Sequence, residues 1–311
     1  MRIVFMGTPL FAVYALQAID ESEHSIVGVV TNIDKPAGRG KKLQQSAVKE
    51  YAKYKGLNLF QPQNLKDPNF TDLLKKLKAD IFVVVAFRML PKSIWNIPRK
   101  GTFNLHASLL PNYRGAAPIN WALINNETTT GLTTFYICDQ IDTGAVLMKE
   151  SIEIDSYDTF GTLHDKLAPS GSILVLKTIE LLKTNPNPIK QELKGNEKNA
   201  PKLTKENTKI DWNKPLKAID ALVRGLNPHP YAWTEIQNGT EQLKVKISRV
   251  TFDYLKHDYN LKNMIIEGKK IKIAHSEGIL IIEELQLPNK KIMDSQSLLN
   301  GFNFKAGAKV L

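Results

Sequence analysis

An asparagine and a histidine stand two residues apart at the end of an apolar run in the stretch NLHASLLPNYRGAAP, residues 104–118. Residues two apart on a β-strand face the same side, so we expect Asn104 and His106 to point together. Asp142 follows the next apolar run, in an Asp-Thr-Gly turn. Ligands bind at the carboxyl ends of strands in open α/β sheets, so the three side chains meet there if the two strands are neighbours.

These three residue types suit attack on a carbonyl group. The carboxylate of Asp142 can orient and charge-balance the imidazole, while Asn104 and His106 can donate hydrogen bonds to an oxygen that gains negative charge. The chain has no Gly-x-Ser-x-Gly nucleophile elbow, and Ser108 precedes a Leu-Leu-Pro, which makes it a poor nucleophile. Direct acyl transfer between two bound molecules is therefore favoured, although the pattern alone leaves a purely structural role open.

The single cysteine, Cys138, lies in an apolar run and is predicted to be a small buried core residue and not a nucleophile. One cysteine cannot form an internal disulfide, which fits a reducing cytosol. The first residues contain no signal-peptide pattern, and no run approaches the roughly 18 apolar residues of a membrane span. We therefore expect a cytoplasmic protein, and we expect it to be a monomer.

The elements that must position the three polar residues read as an α/β domain. Short apolar runs alternate with helical patterns, which predicts a Rossmann-like, mostly parallel sheet. The run DIFVVVAF, residues 80–87, is apolar throughout and is predicted to be a central strand. A long helical pattern over residues 158–184 closes this predicted catalytic domain, residues 1–184.

Composition changes after residue 184, where Pro, Asn and Lys replace the periodic patterns. Residues 185–206 are predicted to be a linker. One helical pattern and then several short strand-like runs follow, with the spacing of a small β-barrel of the OB type. Residues 207–311 are therefore predicted to form a second domain.

Basic residues are distributed unevenly along a chain whose formal net charge is +11. Residues 35–55 hold seven basic residues and one acidic residue, whereas residues 101–165 hold two basic and eight acidic ones. The loop DKPAGRGKK matches neither a P-loop nor a dinucleotide fingerprint. A solvated surface loop and an RNA-binding arm both fit it, with Arg39, Lys41 and Lys42 as the RNA contacts.

The segments NLHASLLPNYRGAAPINWAL and GLTTFYICDQIDTGAVL together resemble the signature of the folate-dependent formyltransferase family. Further similarity lies in FMGTPLFA at the start, in DKPAGRGKKL, and in PKLTKENTKIDW with the VRGLNPHPYAW that follows it. The resemblance therefore covers nearly the whole chain, including the predicted linker and barrel.

This resemblance implies a catalytic set of Asn104, His106 and Asp142. It implies a folate site made of Ser108, Leu109, Leu110 and Pro111, beside an apolar slot for the pteridine near Phe87, Met89 and Leu90. The implied donor is 10-formyltetrahydrofolate, the implied acceptor is the α-amine of methionyl initiator tRNA, and no metal or nicotinamide is implied. The basic loop and the barrel are implied to bind the tRNA. One departure is Arg88, because the family often has Gly at this position.

Three alternatives stay open. A formyltransferase acting on a sugar nucleotide or on glycinamide ribonucleotide would share the catalytic set but has no need of a basic loop with a basic barrel. A hydrolase of formyltetrahydrofolate would use water in place of the amine. A non-catalytic RNA-binding protein would have no need of all three polar residues.

Overall fold

The computed structural model describes residues 1–37 and 42–311, with only the backbone described at residues 37 and 42. The chain forms two compact units. The first comprises Met1–Pro118, Thr129–Glu153 and His164–Ala200, and the second comprises Ile119–Thr128, Ile154–Leu163 and Pro201–Leu311. Within residues 1–37 and 42–311, no helix is both long enough and apolar enough to cross a membrane.

Strands and helices alternate through the first two thirds of the chain, and strands dominate the remainder. In chain order the elements are β1 (Arg2–Gly7), α1 (Leu10–Asp20), β2 (Ser25–Val30), β3 (Lys35–Ala37), β4 (Lys42–Gln44), α2 (Ala47–Tyr54), β5 (Leu59–Phe60), α3 (Pro68–Lys76), β6 (Ile81–Val85), α4 (Lys92–Trp95), β7 (Thr102–His106), β8 (Arg114–Gly115), α5 (Pro118–Ile124), β9 (Thr129–Tyr136), β10 (Val146–Glu153), α6 (Phe160–Lys183), β11 (Asn199–Ala200), α7 (Leu216–Leu226), β12 (Ala232–Asn238), β13 (Glu241–Tyr254), β14 (Met264–Glu267), β15 (Lys270–His275), β16 (Gly278–Gln286), β17 (Met293–Asp294), α8 (Ser295–Leu299) and β18 (Lys309–Val310).

The main sheet of the first unit has the order β10-β9-β7-β6-β1-β2-β5. Strands β5, β2, β1, β6 and β7 are parallel, whereas β9 and β10 are antiparallel to their neighbours. The predicted mostly parallel sheet is therefore confirmed. Strand β6 lies in the middle, and all five of its residues are buried, because parallel strands are covered on both faces.

The second unit contains an antiparallel sheet in the order β14-β15-β16-β13-β12-β18, with β17 beside β16. Strand β18 pairs with β12, and its Val310 N–H also donates to the Lys262 carbonyl, 3.0 Å away. The Met264 N–H donates to the Ala308 carbonyl at 2.8 Å. These bonds nearly close the sheet into a barrel around an apolar core, which confirms the predicted architecture.

Two neighbouring parallel strands, β6 and β7, position the candidate site. In the pairing of β6 with β7, Val85 lies opposite Leu105, so both strands end at the same edge of the sheet. The segments that leave this edge hold residues 86–90 and residues 107–111. Side chains from separate parts of the sequence therefore gather at one carboxyl edge, where α/β proteins bind ligands.

Candidate active site

Strand β7 carries the first two candidate catalytic residues. His106 is its last residue and is buried, with 6% of its surface exposed, while Asn104 is half-buried. Strand alternation puts both side chains on the same face. The half-buried Asn104 is therefore placed to meet a ligand near the edge where His106 ends the strand.

Asp142 reaches His106 by a route that the sequence did not predict. We expected the two strands to end at a common carboxyl edge, but β9 runs antiparallel to β7, and Tyr136 at its end lies opposite Phe103 at the start of β7. The loop between β9 and β10 instead carries Asp142 to the site. Its Oδ2 lies 3.8 Å from Nδ1 of His106, and 14% of its side chain is exposed.

The opposite side of the His106 ring is held by the backbone. Its Nε2 lies 2.7 Å from the carbonyl oxygen of Tyr113. A carbonyl can only accept a hydrogen bond, so Nε2 carries a proton and donates it to this oxygen. The nitrogen that faces the Asp142 carboxylate is therefore Nδ1, and the contacts at the two ends of the ring fix its orientation.

Two glycines in the segments around His106 and Asp142 allow close contacts between backbone segments. Gly115 has a φ of +126°, and a Cβ there would lie 2.4 Å from the carbonyl oxygen of Ala200. A Cβ at Gly144 would lie 1.6 Å from the carbonyl oxygen of Tyr136. The Gly115 N–H donates to Oδ2 of Asp142 at 2.9 Å, so the first glycine also holds the carboxylate.

Sequence reasoning missed two polar residues that complete this corner. The Gln191 side chain donates to the carbonyls of Asp142 and Gly144 at 2.9 and 2.8 Å. Its Oε1 accepts from Nε and Nη2 of Arg114 at 3.2 and 2.5 Å. Gln191 falls in the segment predicted as a linker, where no periodic pattern indicated a contact. We call His106, Tyr113, Arg114, Gly115, Asp142 and Gln191 the catalytic corner.

The segment implied to bind folate follows β7 directly. Ser108 is fully buried, and its hydroxyl donates to the Asn112 carbonyl at 2.7 Å, so this side chain shapes the turn. Leu110 is buried beside Phe135, while Leu109 and Pro111 are half-buried. The Lys149 ammonium donates to the Leu110 carbonyl, and burial lowers the pKa of Lys149.

The implied apolar slot follows the neighbouring strand β6. Leu90 is buried and the half-buried Phe87 packs on the same apolar cluster, whereas Met89 is 71% exposed. Arg88 donates to the carbonyls of Pro62 and Gln63 at 2.8 and 3.2 Å.

The Arg88 guanidinium carbon lies 5.3 Å from the centre of the Phe87 ring, and burial lowers the Arg88 pKa. Its Nε is buried and has no partner within residues 1–37 and 42–311. The residue that departs from the family pattern therefore ties this wall to a neighbouring loop.

Two of the three predicted RNA contacts in the basic loop, Arg39 and Lys41, lie outside the described residues, and at Lys42 only the backbone is described. The start of the loop is anchored, because Lys49 donates to both carboxylate oxygens of Asp34, at 2.8 and 2.6 Å. Bonds from Lys49 and Gln61 lower the pKa of Asp34.

The prediction that Cys138 is a buried core residue was wrong. Strand β9 ends at Tyr136, so Cys138 lies in the loop that carries Asp142 and is only half-buried. Its Sγ lies 3.2 Å from the Thr143 hydroxyl and 3.4 Å from the Gln140 carbonyl. The apolar run continued into a loop, which residue composition did not reveal.

Basic side chains of the second unit gather around two aromatic rings on the barrel. The Nζ atoms of Lys205, Lys209 and Lys244 lie 5.5, 5.4 and 3.9 Å from the centre of the Trp233 ring. That of Lys246 lies 5.7 Å from the centre of the Tyr231 ring. We call these four lysines the lysine patch.

One further cluster has the composition of a metal site. Ligand atoms of Glu23, His24 and Glu180 all lie within 4.8 Å of one another. The Lys183 ammonium, however, contacts Glu23 at 2.6 Å and Glu180 at 2.8 Å. A cation of the protein already balances these carboxylates, so the cluster is explained as an ion-pair network.

Comparison with known proteins gives one consistent result. The formyl transferase family model matches residues 1–179, and the model of the formyl transferase C-terminal domain matches residues 202–303. A methionyl-tRNA formyltransferase from Flavobacterium johnsoniae is 51% identical over 312 residues, covering 100% of this chain and 99% of the relative. One from Bacteroides thetaiotaomicron is 47% identical over 316 residues, covering 100% and 98%.

A solved structure extends the similarity in fold. The N-formyltransferase from Helicobacter canadensis, in complex with folinic acid and dTDP-3-aminofucose, superposes with a TM-score of 0.67. It is 21% identical in sequence, and the match covers 92% of this chain and 99% of that one. Both units of the present chain therefore have counterparts in a protein of similar length.

Proposed function

The chain belongs to the formyl transferase family, and we propose that it transfers a formyl group from 10-formyltetrahydrofolate to the α-amino group of methionyl initiator tRNA, for translation initiation. The observation that carries this proposal is the full-length similarity to methionyl-tRNA formyltransferases together with the His106–Asp142 pair at the sheet edge. We propose that the enzyme works in the cytoplasm and as a monomer.

The side-chain amide of the half-buried Asn104 is assigned to the formyl oxygen. Its N–H group donates to this oxygen as negative charge develops there, which stabilises the transition state more than the ground state. We had expected His106 to share this task. Its Nε2 is instead engaged by Tyr113, so the role that its geometry supports best is proton transfer through Nδ1.

The His106–Asp142 pair is assigned to the proton. The amine nitrogen of the methionyl ester bonds to the formyl carbon, the bond from that carbon to the folate nitrogen N10 breaks, and the amine proton ends on N10. Nδ1 of His106 accepts and returns this proton, while Asp142, 3.8 Å away, stabilises the imidazolium. No side chain forms a covalent bond with the formyl group.

The folate is assigned to the edge that follows β6 and β7. The half-buried Phe87, packed on the cluster that contains Leu90, offers apolar surface for a pteridine, and Ser108 and Lys149 fix the backbone of residues 108–111 beside it. Folinic acid in the Helicobacter canadensis structure supports a folate as the ligand class. The exposed Met89 contributes only if it folds over the bound ring.

The tRNA is assigned to the basic loop and to the barrel. Arg39, Lys41 and Lys42 are proposed to contact the acceptor stem. The lysine patch offers four ammonium groups that can neutralise phosphates. On this basis residues 1–184 supply the chemistry, residues 185–206 connect, and residues 207–311 bind RNA.

A formyl-transfer assay tests the function directly. Purified enzyme with 10-formyltetrahydrofolate should formylate methionyl initiator tRNA and leave elongator methionyl-tRNA largely unmodified. Formylation of a sugar nucleotide or of glycinamide ribonucleotide, but not of the tRNA, would replace the acceptor in this proposal. Release of formate without any acceptor would identify a hydrolase, and tRNA binding without turnover would identify a non-catalytic RNA-binding protein.

A further inference from the structure

We propose that Gln191 is a positioning residue for Asp142, an inference that rests on the proposed function. Asp142 has a φ of +54°, in the left-handed region that residues other than glycine rarely occupy. Surrounding contacts must hold such a conformation. The contacts of Gln191 are made to the Asp142 backbone itself, so they act where this hold is needed.

Hydrogen bonds tie both ends of Asp142 to the same dipeptide. The carboxylate accepts directly from the Gly115 N–H at 2.9 Å. The Asp142 carbonyl accepts from Gln191, whose Oε1 in turn accepts from Arg114, the residue before Gly115. Gln191 therefore closes a ring of bonds in which the position of the carboxylate is fixed relative to its own backbone.

The segment that presents Gln191 is itself secured at two points. Ile189 and Val146 exchange backbone hydrogen bonds of 2.7 and 2.8 Å. Ten residues later, β11 pairs with β8, where Ala200 lies opposite Gly115. Residues 189–200 therefore clamp the loop that carries Asp142 between two short backbone pairings, with Gln191 as the side chain that reaches the loop.

Loss of this amide should displace the Asp142 carboxylate from Nδ1 of His106. A small displacement of a catalytic group slows the chemical step. It does not change substrate binding when the binding contacts are made by other residues. For Gln191→Met, which keeps the length and removes both polar groups, we expect a fall of roughly 10- to 100-fold in single-turnover rate at saturating substrates. The KM for each substrate should stay within about twofold.

A second variant separates the two halves of the amide. Gln191→Glu keeps an oxygen for Arg114 and loses the N–H donors to the Asp142 and Gly144 carbonyls. Because the N–H donors position Asp142 in this proposal, Gln191→Glu should lower the single-turnover rate as much as Gln191→Met does. A wild-type rate in Gln191→Glu would contradict it. Glu192→Ala, at the exposed neighbouring position, is the matched control and should retain the wild-type rate.

A double-mutant cycle tests whether Gln191 acts through Asp142. In an Asp142→Asn background, Gln191→Met should cost less than about twofold further, because residues acting as a unit are non-additive. An equal loss in both backgrounds, unchanged turnover in the single variant, or a loss confined to the KM for tRNA would each overturn the inference.

A measurement on the free enzyme separates this inference from the proposed function. The imidazole ¹⁵N resonances of His106 should move in Gln191→Met and stay unchanged in Glu192→Ala. Unchanged resonances in Gln191→Met would refute the positioning role even if the enzyme formylated tRNA normally. Shifted resonances in a protein that formylates nothing would retain the positioning role and refute the proposed function.

Discussion

The catalytic corner and the lysine patch differ in how firmly the structure positions their side chains. In the corner, His106 and Asp142 are largely buried, and short hydrogen bonds to the backbone fix their positions. In the patch, the ammonium groups of three lysines lie near the Trp233 ring, and that of the exposed Lys244 lies 3.9 Å from the ring centre. Directional hydrogen bonds therefore hold the side chains of the catalytic corner in place. The lysines of the patch are held only by charge and by contact with an aromatic ring.

This difference indicates which substitutions each region tolerates. Catalytic groups must keep their geometry within a fraction of an ångström, so removing one hydrogen bond is costly. Phosphate contacts add up approximately one charge at a time and weaken with salt. We therefore expect steep, salt-independent losses in the corner and shallow, salt-dependent losses in the patch.

The largest effect is expected at Asp142. Asp142→Asn keeps the size of the side chain and removes the charge that faces Nδ1 of His106, so turnover should fall by roughly 10² to 10⁴. The loss should be the same at low and high salt, and the melting temperature should change little. Steady-state kinetics within a few-fold of wild type would contradict the assigned role.

A smaller effect is expected at Arg39 in the basic loop. The planar guanidinium can grip a base edge or a phosphate in a way that alanine cannot. Arg39→Ala should lower kcat/KM for the tRNA by roughly 5- to 150-fold and leave the folate parameters unchanged. The measurement is a comparison at two salt concentrations in which each substrate is varied in turn. Unchanged tRNA parameters would mean that the loop is only a solvated surface.

The lysine patch should show the graded behaviour most clearly. Lys244→Ala should weaken tRNA binding by a few-fold and lower the slope of log K against log salt by about one phosphate contact. Lys209 is a matched comparison, because it already pairs with Glu235 at 3.2 Å and has less charge to offer the RNA. A titration in which Lys209→Ala is the more damaging variant would argue against the patch as an RNA surface.

The smallest effect is expected at Cys138, although it lies four residues from Asp142. A serine hydroxyl can make the same contacts with Thr143 and Gln140 that the thiol makes. Cys138→Ser should therefore retain activity within about twofold. A loss as large as that of Asp142→Asn would show that the thiol itself takes part in the chemistry.

The sequence predicted the parts of the fold that depend on continuous apolar patterns. Strand β6 was identified as central because its residues are apolar throughout, and the helix α6 because its pattern is long. Strand β10 was missed, since only Val146 is buried in it and half-buried residues alternate with exposed ones along its second half. The antiparallel direction of β9 relative to β7 left no sign in the sequence either, and it hid the route by which Asp142 reaches His106.

The residues of the candidate site likewise include some that the sequence could predict and some that it could not. Asn104 and His106 could be paired from their spacing on one strand. Gln191 could not be found, because its role depends on a contact across almost fifty residues of sequence and its own segment has no periodicity. The protonated Nε2 of His106 depends on the Tyr113 carbonyl, and backbone carbonyls leave no mark in a sequence.

The pairing of Ile189 with Val146 has a consequence for synthesis on the ribosome. Strand β10 lies at the outer edge of the sheet, and the clamp meets its first residue there. During translation the partner of Val146 on this side is missing until Ile189 has been made, and Asp142 gains its last support only when Gln191 has left the exit tunnel. A nascent chain halted at residue 184 would therefore leave Val146 at the strand edge open to pairing with other chains, a known route to aggregation, and would lack the side chain that contacts the Asp142 backbone.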